Sequence, residues 1–183
     1  MASYLHPNLA FEQYYKLPSP TRFFVHPVQK CFQLSTMHTK VKNVLKKFDF
    51  EGKSGFLQYW EYKQDGNKER LTVADQLFVA NRNQRGLKEY RKNCLKDEVF
   101  VGPATKVGLV AQNGVAIQST SHDPDQIMGH LVVPVFSYQG ADKKLIGVIE
   151  LTTFYPKESY EEDFNEIQSL LKVSYSSSQV YGS

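Results

Sequence analysis

From His130 to Val173, two apolar runs, Leu131 to Tyr138 and Lys144 to Phe154, flank a Gly-containing turn and lead into a helical segment; no other stretch constrains the fold as much. In the first run Leu131, Val133 and Val135 alternate with Val132, Pro134 and Phe136. In the second, Leu145, Ile146, Val148, Ile149 and Leu151 leave little polar surface, so both faces of these strands should be covered. The joining segment Gln139-Gly140-Ala141-Asp142-Lys143 has hairpin length and chemistry. Further on, Ser159 precedes Glu162 in a capping-box arrangement, and Phe164, Ile167, Leu170 and Leu171 recur at helical spacing. A helix packed on a sheet follows, and with it a layered α+β module.

At 183 residues, with 41% hydrophobic and 22% charged side chains, the chain can fill one core but not two ordinary domains. The expected organisation is an extended leader over residues 1–27, one domain over 28–173 and a flexible tail over 174–183. The leader is set apart by Pro7, Pro18, Pro20 and Pro27 among aromatics, and the tail by its serines. The formal charge of +3 is spread along the chain, without the unbroken basic run of a nucleic-acid arm. Cys31 and Cys94 lack Cys-x-x-Cys spacing and no signal peptide precedes them, which fits reduced thiols inside a cell. No stretch approaches the roughly 18 consecutive apolar residues of a membrane span.

Periodicity predicts an amphipathic helix over Val28 to Phe48, with Phe32, Met37, Val41, Val44, Leu45 and Phe48 approximating one face. Aromatic β-formers from Phe56 to Tyr62, then Arg70 to Val73 and Phe78-Val79, read as strands. Leu87, Tyr90 and Cys94 favour a helix over Gly86 to Lys96. A second short helix over Ala104 to Gln112 ends at Asn113-Gly114 and enters a strand at Val115 to Gln118. The polar, Pro-containing stretch Ser119 to Gln126 reads as a loop.

Trp60, Leu71-Thr72, Gln76, Phe78-Val79, Gly86-Leu87, Tyr90-Arg91, Pro134-Val135-Phe136, Gly147-Val148 and Glu150-Leu151 occur in an order that resembles the amino-terminal GAF-like region of plant NIN-like proteins, nitrate-responsive regulators with an RWP-RK DNA-binding domain. The likeness spans roughly Phe56 to Val173. It implies a central, mostly antiparallel sheet with helices on its faces, and a role in transcriptional or nitrate-linked signalling in the nucleus or cytoplasm. No Arg-Trp-Pro string occurs, and neither the RWP-RK nor the PB1 domain has room after Val173. A regulatory domain without direct sequence-specific DNA binding is therefore expected.

His122-Asp123 with His130 is the first place to seek a metal or an acid–base pair. A metal needs three or four convergent ligands, however, and Asp123-Pro124 is ordinary turn chemistry. Nucleophile-elbow, zinc-helix and phosphate-loop motifs do not occur, so no catalytic residue, metal or cofactor is assigned. Cys94, beside Lys92 and Lys96, reads as a small buried hydrophobe. Tyr90 and Arg91 offer hydroxyl and guanidinium donors to a small anion, although a solvated basic helix face accounts for the same residues. Trp60 could stack on a planar ligand or fill the core. The candidate ligand-binding residues are Trp60, Tyr90, Arg91 and His122, in a non-enzymatic sensor of a small anion or other small molecule. The alternative is a pure interaction or dimerisation module working through its terminal helices.

Overall fold

A computed structural model of the chain describes residues 13–15, 29–73, 78–81, 85–96, 98–123, 126–139 and 141–172. Of the leader, only Gln13–Tyr15 falls among them, as strand β1; the tail over 174–183 lies outside them. The chain continues through α1 (Gln29–Lys47), β2 (Gly55–Asp65), β3 (Lys68–Thr72), β4 (Phe78–Asn81), α2 (Arg85–Cys94) and β5 (Val99–Phe100). It ends through α3 (Lys106–Asn113), β6 (Ala116–Asp123), β7 (Gln126–Gln139), β8 (Asp142–Thr153) and α4 (Glu161–Lys172). The strands form one sheet in the order β1-β6-β7-β8-β2-β3-β5, with β4 also on β2, and these pairings are antiparallel. This is the expected α+β layering, a central antiparallel sheet with helices on its faces.

The near absence of polar residues in the two long runs follows from burial on both sides. Along β8, Ile149 and Leu151 point into a core shared with Val41, Val44 and Leu45 of α1 and Ile167 of α4. Val148 points the other way, into a second core with Trp60, Val132 and Val107 and Val110 of α3. Each such fully buried aliphatic chain contributes about 1.5–3 kcal/mol. A smaller cluster of Phe56, Leu87 and Met128 lies under α2.

Two glycines are required by position. A Cβ at Gly147 would collide with the carbonyl oxygen of Trp60 and with the Tyr59 ring, which crosses there so that its hydroxyl donates to the carbonyl of Ile146 at 2.6 Å. Gly114 ends α3 at φ 67°, its N–H donating to the Val110 carbonyl, while Thr105 caps the other end by accepting from the Gly108 N–H.

The structure corrects the reading of two segments. Ser119 to Gln126 is not a loop: β6 runs to Asp123 and β7 begins at Gln126, with Ser119 paired to His130 and His122 to Ile127. Polar composition misled because backbone pairing to the apolar β7 carries the strand onward whatever the side chains. The start of α4 also differs from a simple capping box. The helix begins at Glu161, whose N–H donates to Ser159 Oγ at 3.2 Å, and the Tyr160 N–H is taken by Gln118 Oε1 at 2.9 Å. A side chain from a distant strand thus shares the capping.

Candidate functional site

On the sheet face beneath α2, an acid stands in the middle of the most apolar strand. Glu150 of β8 pairs in register with Gln58 of β2 and Val132 of β7, and it is 2% exposed. Burying a carboxylate is costly unless donors surround it. Trp60 Nε1 and Gln58 Nε2 each donate to Glu150 Oε2 at 2.7 Å, and the Tyr90 hydroxyl donates to Oε1 at 2.7 Å. His130 Nδ1 lies 3.4 Å from the same Oε1 and 3.3 Å from Thr152 Oγ1.

The donor inventory fixes the role of Glu150 Oε2. Indole N–H only donates, and Gln58 must turn its NH₂ to Glu150 because its Oε1 accepts from Arg91 Nη1. Glu150 Oε2 therefore accepts from both Trp60 and Gln58. Burial works against its charge, but bonding and charge from His130, with bonds from Tyr90 and Gln58, outweigh burial and hold the carboxyl below its ordinary value.

Helix α2 supplies the cover. Its spacing places Leu87, Tyr90, Arg91 and Cys94 toward the sheet, while Lys88 and Lys92 are exposed. The Tyr90 ring lies 5.7 Å from Phe56 and 5.5 Å from His130, centroid to centroid. Arg91 also donates from Nη2 to the Val73 carbonyl at 3.4 Å and lies over the Phe78 ring. The solvated basic face expected for this helix thus holds for its lysines and fails for Arg91, which is buried because Gln58 and Glu150 offer it polar partners inside. Cys94 is buried, as expected; burial, then the charge of Glu150, pushes its thiol up to about 11, so it is not an activated nucleophile.

Of the four candidate residues, Trp60, Tyr90 and Arg91 meet around Glu150. The backbone of His122 pairs with that of Ile127, away from the His130 rung, and its side chain lies outside the described residues. His130, weighed in the sequence only as a partner for His122, belongs to the cluster instead. Glu150 and Gln58 were missed as site residues. The signal was present, since a lone acid between Ile149 and Leu151 in a doubly covered strand has to be buried.

On the opposite side of the sheet, an open depression of about 690 Å³ at the start of α4 is lined by Lys53, Lys157, Glu158, Ser159, Glu161, Glu162 and Asn165. Lys157 is already bound there to both carboxylate oxygens of Asp163 at 2.7 and 2.8 Å. Among the described residues, no cluster of three or more metal-ligating side chains occurs, and no helix is long and apolar enough to cross a membrane.

No family model matches the chain, and no curated protein does. Among solved structures it is similar to a GAF sensor protein from Burkholderia vietnamiensis, at 15% identity over 82% of this chain and 89% of that one, with a TM-score of 0.46.

Proposed function

We propose that the chain is a non-enzymatic regulatory domain of the GAF-like kind that senses a small ligand on the sheet face under α2. The observation that carries this reading is the convergence of Trp60 and Tyr90, distant in sequence, on one buried carboxylate, with Arg91 tied to it through Gln58. A helix held by polar ties to a buried charge has an evident way to move: a ligand that takes over one of those ties favours another position of α2, to the extent that it binds the two positions differently. The resemblance to NIN-like proteins supports a setting in transcriptional or nitrate-linked signalling, in the nucleus or cytoplasm of a plant.

Calorimetry with nitrate, against chloride as ionic control and small cyclic nucleotides as competing candidates, tests the reading. Saturable heat that is lost in Tyr90→Phe and Arg91→Lys, both still folded by circular dichroism, is the expected result. Binding that survives both changes places the site elsewhere.

A second reading, an interaction or dimerisation module without a ligand, is favoured by one observation. The donors around Glu150 are the protein's own side chains, so the cluster is filled from within. On that reading partners meet the faces of α1 and α4. No heat from any small molecule, together with a concentration-dependent dimer in light scattering, would select it.

A further inference from the structure

Among the described residues, Phe78, Leu95, Phe100 and Tyr155 are large apolar side chains left 52%, 51%, 56% and 71% exposed. Scattered exposure of this kind is ordinary, and Phe100 on the edge strand β5 is such a case. The other three keep charged company. The Arg91 guanidinium lies 4.9 Å over the Phe78 ring, and the Leu95 N–H donates to the Arg91 carbonyl at 3.1 Å, which puts Leu95 one turn beyond Arg91. Lys88, Lys92 and Leu95 are spaced by four and three residues and all are exposed, so they share one outward stripe along α2 and its last turn, on the Phe78 flank. Glu89, the acid of that helix, lies roughly 100° round the axis from Lys88.

Tyr155 has the opposite surroundings. It stands in the loop that enters α4, where Glu158, Glu161 and Glu162 are exposed. The two bases of that depression are already matched, Lys157 by Asp163 at 2.7 Å and Lys53 by Glu51 at 2.8 Å. An excess of carboxylate is therefore left on the surface beside an exposed aromatic ring. The basic and acidic patches adjoin without coinciding. Phe154, whose ring meets that of Tyr155 edge-on at 4.9 Å between centroids, packs on the cluster that holds Leu87 at the start of α2.

We propose that these patches bind each other between two copies of the chain, the Lys88–Lys92 stripe with Leu95 and Phe78 of one copy against the acidic loop around Tyr155 of the other. Lysines meet carboxylates, and apolar side chains meet the tyrosine ring. Because the patches are distinct and adjacent, a two-fold axis lets both contacts form at once, which closes the assembly as a dimer. Exposed ion pairs are weak, so they steer and orient the copies while burial of Phe78, Leu95 and Tyr155 holds the contact. This dimer differs from one through the faces of α1 and α4 in running through α2, and it needs no ligand.

Sedimentation velocity of the full chain at about 0.01 M and about 1 M salt, where charges reach across roughly 30 Å and roughly 3 Å, reads the association. A dimer at low salt that weakens at high salt is expected. Lys88→Glu with Lys92→Glu in one protein, and Glu158→Lys with Glu162→Lys in another, should each weaken self-association at low salt about tenfold, since two exposed pairs turn from attraction to repulsion. Mixing the two proteins should restore association of parent strength, because each contact of the mixed dimer again joins opposite charges. Leu95→Ser should weaken association at both salts. Where circular dichroism shows a reversal unfolded, Lys88→Gln with Lys92→Gln and Glu158→Gln with Glu162→Gln carry the test, each expected to weaken association about threefold. A monomer at both salts and every concentration, or folded reversals that stay apart when mixed, would overturn the inference. A dimer indifferent to changes on α2 would overturn it too, and would place the interface on another face.

Discussion

A carboxylate is stable inside a sheet only when each of its oxygens meets donors, and Glu150 satisfies that condition through hydrogen bonds from β2 and α2, with His130 of β7 beside it. Glu150→Gln keeps the shape and places an NH₂ against the Trp60 and Gln58 donors or the Tyr90 hydroxyl. A loss of about 3–5 kcal/mol in urea denaturation is expected, the range for breaking a buried pair by changing one partner. The acid side follows from the same network. With its carboxyl held below the ordinary 4.5 in the fold, the unfolded chain binds the proton first as pH falls. The contribution of Glu150 is therefore complete above pH 4.5 and is lost as pH drops through the folded value. Denaturation midpoints between about pH 5 and about pH 3 should fall more steeply in the parent than in Glu150→Gln.

At the scale of elements, the two helices on this face are attached differently. Helix α3 buries Val107, Gly108, Val110 and Ala111 and is capped at both ends. Helix α2 rests on Leu87 and Cys94 plus the polar reach of Tyr90 and Arg91. Backbone amides of α2 should exchange with deuterium well before those of α3, since local opening is cheapest where apolar burial is least. Tyr90→Phe should speed exchange in α2 without changing α3. The β2–β8 pairing has its own fragile point at Gly147. Because the atoms a Cβ would meet there include the Trp60 backbone, which cannot turn aside, Gly147→Ala should cost at least the 1–3 kcal/mol typical of overpacking, read as a lowered Tm.

For the whole molecule, the face covered by α1 and α4 carries a second buried charge. Lys40 is 1% exposed, and burial lowers its amine from 10.5 to about 8. Between those values the unfolded chain binds more protons than the folded one, so the Lys40 term raises stability as pH climbs from about 8 towards 10.5. Lys40→Met, similar in length and without charge, should remove this rise. The difference between parent and variant in denaturation midpoint should shrink from pH 8 to pH 10, which separates Lys40 from Cys94 and the buried tyrosines titrating in both proteins.

Much of this architecture was legible before any coordinates. Hydrophobic periods of two and of 3.6 placed α1, α2, α3, β7 and β8 within a few residues of their observed bounds, because burial of one or both faces imposes those periods on the side chains themselves. The apolar character of Leu145 to Leu151, broken only at Glu150, also implies that the sheet is covered on both sides. Pairing was not legible in the same way: Ser119 to Asp123 is a strand because β7 lies beside it. The site was legible in part. The sequence offers Tyr90 and Arg91 as donors and Trp60 as a stacking or core residue, but nothing along the chain says that positions 58, 60, 90, 91, 130 and 150 are neighbours. Local sequence determines which face of each element is apolar, an interaction within a turn or two of backbone. Only the tertiary structure decides which polar exceptions meet, because strand register and helix docking bring together residues 92 positions apart, as in the Gln58–Glu150 bond.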